Sequence, residues 1–201
     1  MNMRGLSWRD GGRASATVLM VIASFATIAS TAAAQQQLSE RAVRTFMDYA
    51  WSLTPQKFTK PDGSSVVIDK KKREQMTVPL DHARDVIMIG RMTAHAQICE
   101  LPELQVRNYQ SLMRREQGSG KWSPQQMIYI NQLHLTTVML LTGQIRVKEK
   151  KDGKKEVFVS KGKRAAKTCT PEQRARVKKI VEEYVASEPS AKPETAAKKE
   201  G

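Results

Sequence analysis

The sequence predicts a mostly α fold: a small helical bundle of four to five helices with an appended β-hairpin and one disulfide. Three observations carry that expectation. Apolar residues recur at three- and four-residue spacing in up to five segments, which is the signature of helices with one buried face. Helix start and stop signals bracket those segments. Between the last two, an Asp152-Gly153 pair separates β-branched runs, and such a pair accepts the positive φ of a tight hairpin turn.

The first helix is expected from about Ser39 to Leu53, with Ser39 as N-cap and Pro55 as terminator; Ala42, Val43, Phe46, Tyr49, Ala50 and Leu53 form its apolar face. From Gln56 to about Pro79 the helical period is lost. Pro61-Asp62-Gly63 marks a turn, Val66-Val67-Ile68 is β-prone, and Lys70 to Arg73 is a basic cluster, so a loose hairpin and an exposed loop are expected. A second helix runs from near Asp81 to Cys99. A third begins at Pro102, a favoured first helical position, uses Leu104, Val106, Tyr109, Leu112 and Met113, and fades at Gly118-Ser119-Gly120.

The fourth helix has the strongest boundaries. Ser123, Pro124 and Gln126 form a capping-box pattern and Gly143 supplies the stop. Its apolar residues, from Met127 and Ile128 through Leu133 and Leu135 to Leu141, wrap most of the circumference, which makes it the expected central and most buried helix. The hairpin follows at 144–160, with Ile145 and Val147 on one arm and Val157, Phe158 and Val159 on the other. The last helix opens at Thr170, Pro171 and Gln173, again a capping-box pattern, and is expected to bury Val177, Ile180, Val181, Tyr184 and Val185. Residues 187–201 offer little to bury and are expected to be disordered. The domain organisation is thus a leader at 1–34, a single helical domain with its hairpin at 35–186, and a tail.

Residues 1–34 begin with Arg4, Arg9 and Arg13, continue through an apolar stretch from Ala16 to Ala29, and end on Ala32-Ala33-Ala34. This is the pattern of a secretory signal peptide cleaved after Ala34. The apolar stretch is short of the ~20 residues that span a bilayer, so no transmembrane segment is expected after processing and the mature chain is expected in the periplasm or outside the cell. An oxidising compartment turns Cys99 and Cys169, the only two cysteines, into an expected disulfide.

The chain carries 34 Lys+Arg against 20 Asp+Glu. Removal of the leader leaves 31 basic and 19 acidic residues, so the positive charge belongs to the mature protein. For an exported chain this suggests an anionic envelope component or an acidic protein as partner, not nucleic acid. The charge concentrates on the hairpin and the segment after it: residues 146–167 hold ten basic and three acidic residues. Lys148, Lys150, Lys151, Lys154, Lys155, Lys161, Lys163 and Arg164 are the expected anionic-partner residues. Phe158 is the only aromatic there, too few for stacking on single-stranded bases.

Catalytic signatures are missing. There is no serine-hydrolase elbow, phosphate-cradling glycine loop or dinucleotide fingerprint, and no cofactor is implied. His134 lies on the flank of the apolar stripe of the fourth helix and is expected to be a satisfied, partly buried imidazole. Met88, Met92, His95 and Cys99 share one helical face, a donor set that suits soft metals, yet methionine at helical spacing ordinarily fills cores. The expected function is that of a non-catalytic binding or structural protein of the envelope. A metal- or small-ligand-handling protein using the Met88, Met92 and His95 face is the alternative, and a hydrolase whose site assembles only in three dimensions comes third.

Overall fold

A computed structural model describes residues 38–149, 155–160 and 168–187. The expected leader at 1–34, the Asp152-Gly153 turn and the tail from residue 188 onward lie outside the described residues. In chain order the elements are α1 (Glu40–Leu53), β1 (Lys57–Thr59), β2 (Ser65–Val67), α2 (Arg73–Met76), α3 (Leu80–Ile98), α4 (Pro102–Ser119), α5 (Pro124–Thr142), β3 (Ile145–Glu149), β4 (Lys155–Val159) and α6 (Pro171–Ala186). The fold is mostly helical, with two separate antiparallel hairpins and the Cys99–Cys169 disulfide. Among the described residues no helix is long and apolar enough to cross a membrane.

Local signals set the helix boundaries. Ser39 Oγ accepts from Ala42 N at 3.3 Å, and Ser123 and Thr170 each close a full capping box with the glutamine three residues on. Gly120 and Gly143 end α4 and α5 in the left-handed region, at φ 62° and 79°. The end of α3 is less orthodox. Glu100 takes the left-handed position at φ 55°, with Leu101 N donating to Ala96 O and Glu100 N to Gln97 O, the paired bonds of a Schellman motif without its glycine.

α3 packs on α1, α4, α5 and α6, and its contact with α5 is the most extensive in the bundle. The core cluster draws Val43 and Ala50 from α1, Ala83, Val86 and Ile87 from α3, Leu112 from α4, and Tyr129, Ile130 and Leu133 from α5. The two helices approach closely at Gly90, where a Cβ would stand 2.9 Å from Thr137 Cβ. Trp51 meets Tyr129 edge-on at 6.2 Å between ring centroids, and Trp51 and Trp122 both pack against this cluster.

Four expectations need correction. The segment before α3 is not simply an exposed loop: Ile68 and Val78 are buried, a short helix α2 forms, Arg73 donates to Asp48 Oδ1 at 2.5 Å, and Lys70 Nζ reaches Trp51 O at 2.5 Å. Two cations of the basic cluster therefore fasten the loop to α1. Second, the central place is shared by α3 and α5, and Leu135 is 44% exposed while Thr136 and Thr137 are fully buried. The apolar residues of α5 outnumber the surfaces available to cover them. Third, α4 buries Leu104, Asn108, Ser111 and Leu112, not Val106, which is 51% exposed.

Fourth, α6 buries only Val181 fully and leaves Ile180 exposed, because it packs on the outside of α3 and α4. It is held at both ends. The disulfide ties its start to the end of α3, and Arg174 donates to the carbonyls of Cys99 and Glu100. At its other end Arg115 of α4 donates to Tyr184 O at 2.6 Å and lies 4.3 Å over the Tyr184 ring. A guanidinium thus sits at the C-terminal end of α3 and of α6, where the free carbonyls and the helix dipole favour positive charge.

Candidate functional site

α4 and α5 both lie on α3 but barely touch each other, and the gap between them is an open cleft of about 500 Å³. Thr93 of α3, 2% exposed, lies at its floor. α4 contributes Gln105, Val106, Tyr109 and Gln110; α5 contributes Asn131, His134, Leu135 and Val138.

The floor is a buried polar network. Asn108, fully buried on α4, donates from Nδ2 to Ile89 O at 3.0 Å and to Thr93 Oγ1 at 2.7 Å. Thr93 Oγ1 lies 2.9 Å from His134 Nε2 and 3.2 Å from Ile89 O. The threonine proton can serve either neighbour, so the imidazole takes the matching tautomer and keeps Nδ1 for one further hydrogen bond. Burial holds the His134 pKa down to about 4, because a charged imidazole would lose its hydration with no carboxylate beside it. The Tyr109 ring lies against it at 5.2 Å between centroids, and Tyr109 Oη donates to Asn131 Oδ1 at 3.0 Å across the cleft. The expected partly buried, satisfied histidine is therefore an almost fully buried one. Its Nε2 partner is the Thr93 hydroxyl, which is 2% exposed, and among the described residues no carboxylate bonds the ring to orient it as the base of a hydrolytic triad.

Sequence reasoning gave Thr93, Asn108 and Asn131 no functional role and placed Tyr109 only on the apolar face of the third helix. One signal was present: Asn108 sits four residues from both Leu104 and Leu112, inside the buried stripe of α4, where an asparagine requires partners.

The hairpin carries part of the expected basic ridge. The register pairs Ile145 with Val159, Arg146 with Phe158, Val147 with Val157 and Lys148 with Glu156. Strand alternation then sets Ile145, 3% exposed, on the inner face and Arg146, Lys148, Glu156 and Phe158 on the outer one. Arg146 and Lys148 are exposed, and Phe158, opposite Arg146 on the partner strand, is 42% exposed. Lys155 lies on β4. Lys150, Lys151, Lys154, Lys161, Lys163 and Arg164 lie outside the described residues.

Cys99 is in the disulfide, Met88 Sδ accepts from Arg91 Nη1 at 3.6 Å, and His95 turns instead to a shallow cleft beside the disulfide with Gln173 and Arg176 of α6. A guanidinium against the thioether is an adverse neighbour for a cation. Among the described residues no three His, Cys, Asp or Glu side chains converge as a metal site. A third polar cluster joins α3 to the end of α4: His82 Nε2 lies 3.1 Å from Glu116 Oε2, and Trp122 Nε1 donates to the same oxygen at 2.5 Å. Compared with known protein families, curated proteins and solved structures, the chain matches none.

Proposed function

We propose that this chain is an exported, non-catalytic binding protein of the cell envelope that meets an anionic partner through the outer face of its β3–β4 hairpin. The observation that supports this most is the register, which presents Arg146 and Lys148 on one exposed face around Phe158. The sequence adds Lys150, Lys151, Lys154, Lys155, Lys161, Lys163 and Arg164 within the same short stretch. Cations around a half-exposed aromatic ring suit a partner that offers negative charge at a partly apolar surface. Glu156, opposite Lys148, tempers the charge and favours contact of moderate strength. The leader pattern and the disulfide support the exported location. A non-catalytic role is favoured because the hydroxyl and imidazole of Thr93 and His134 are both buried and no carboxylate among the described residues orients the ring.

The test is retention of the mature protein on isolated envelope material at low and high salt. Reversing Arg146, Lys148, Lys161 and Lys163 to Glu is expected to lower retention at low salt by at least ~100-fold, since each cation near an anionic surface contributes about 1 kcal/mol. The far-ultraviolet helical signal should be unchanged. Retention by the fourfold variant equal to that of the parent, or retention by the parent that is insensitive to salt, overturns the proposal.

A further inference from the structure

The α4–α5 cleft is built unlike the rest of this surface. Charged residues make up 27% of the chain, yet among the described residues none lines the cleft. Its polar groups are the amides of Gln105, Gln110 and Asn131, two hydroxyls and an uncharged imidazole. Its apolar groups, Val106 at 51% and Leu135 at 44% exposure, face each other from the two helices, with Val138 beside Leu135. Exposed valine and leucine opposite one another, above a polar floor, form a slot whose volume falls within the range of small-molecule sites.

The floor is also set in advance. Asn108 holds Thr93, and Thr93 holds His134. Three polar side chains have been buried and cross-linked, an arrangement that costs stability unless it is satisfied throughout. Asn108 Oδ1 is itself buried with no hydrogen-bond partner, so the arrangement is not optimised for stability alone. A ligand arriving here finds its hydrogen-bonding groups already oriented and spends little entropy in ordering them.

We propose that this cleft binds an uncharged small molecule that presents an amide-like donor and acceptor pair on a flat, apolar body. Each amide of the lining both donates and accepts, which matches a ligand able to do the same. A charged ligand would surrender hydration without meeting an opposite charge. The flat body follows from the slot: Val106 and Tyr109 form one wall, Leu135 and Val138 the other. This site stands independently of the hairpin and of any anionic partner.

Three compounds of nearly one shape separate the possibilities: benzamide, which is neutral, benzoate, an anion, and benzamidine, a cation. Titrated against the mature protein and followed by the nuclear magnetic resonance signals of the His134 and Tyr109 rings, benzamide is expected to give saturable shifts. It should bind at least tenfold more tightly than either charged analogue. Leu135→Glu places a charge at the rim on a residue already exposed; it should weaken benzamide at least tenfold while the thermal melt stays unchanged. Should that melt shift, Val106→Glu on the opposite wall makes the same test. The proposal is overturned if benzamide gives no saturable shift up to its solubility limit, if a charged analogue binds as well, or if a rim variant that keeps the parent melt also keeps the parent affinity.

Discussion

His134 is the residue on which acidity acts most directly. Its pKa is held at about 4 in the folded chain by burial, against about 6.5 when unfolded. Between those values the unfolded chain takes up a proton that the folded chain refuses. Stability is therefore fully present above pH 6.5, falls as the pH drops through that window by up to about 3 kcal/mol, and levels off below pH 4 as far as this residue is concerned. Glu116 acts in the same sense at lower pH. Burial pushes its carboxyl up, but the His82 and Trp122 hydrogen bonds outweigh burial and leave it below the ordinary range, so its contribution is present above that range and lost as the pH falls through the lowered value. Urea unfolding as a function of pH is expected to show most of its acid loss between 6.5 and 4, and His134→Gln should flatten that part of the curve. An unaltered slope in the variant would assign the loss to carboxylates instead.

The crossing of α3 and α5 is decided by a hydrogen atom in place of a methyl group. Gly90→Ala would improve helix propensity by about 1 kcal/mol, which by itself predicts stabilisation. Against this, the new methyl would lie 2.9 Å from Thr137 Cβ and 3.2 Å from His134 O. Neither is the end of a flexible chain, and overpacking of this kind costs about 1–3 kcal/mol. The clash wins, and a net loss of about 1 kcal/mol or more is expected in the denaturant midpoint at an unchanged slope. Stability equal to or above the parent would show that the two helices can separate at little cost. The same close approach explains why α5 buries Thr137: a short, branched side chain fits where helices nearly touch. Thr137 Oγ1 satisfies itself on Leu133 O at 2.8 Å.

At the scale of the molecule, α6 shows how a weakly buried helix is retained. With Val181 its only fully buried residue, apolar packing alone offers little. The disulfide spans 70 residues of sequence, and closing a loop of that length stabilises by about 4 kcal/mol on a chain-entropy basis. The Cys99→Ser, Cys169→Ser double variant is accordingly expected to lose about 4 kcal/mol in urea unfolding, with α6 protected least in amide hydrogen exchange. A loss below 1 kcal/mol would mean that Arg174 and Arg115 hold α6 without the covalent link.

The sequence by itself determined where most of the long helices start and stop, because caps and breakers act within a few residues: Ser39, Pro102, Ser123, Gly143 and Thr170 each do their work on adjacent backbone groups. It also determined the cysteine pair, there being only one pairing to make. Only the tertiary structure decided which side of each helix is covered. The apolar residues of α4, α5 and α6 exceed the partner surface that the other helices present, so Val106, Leu135 and Ile180 lie exposed while Asn108, Thr136 and His134 lie inside. Burial is a property of two surfaces meeting, and periodicity along one strand of sequence describes only one of them. The cleft exists for the same reason: α4 and α5 are each drawn to α3 more than to each other, and nothing local to either helix records the space that leaves between them.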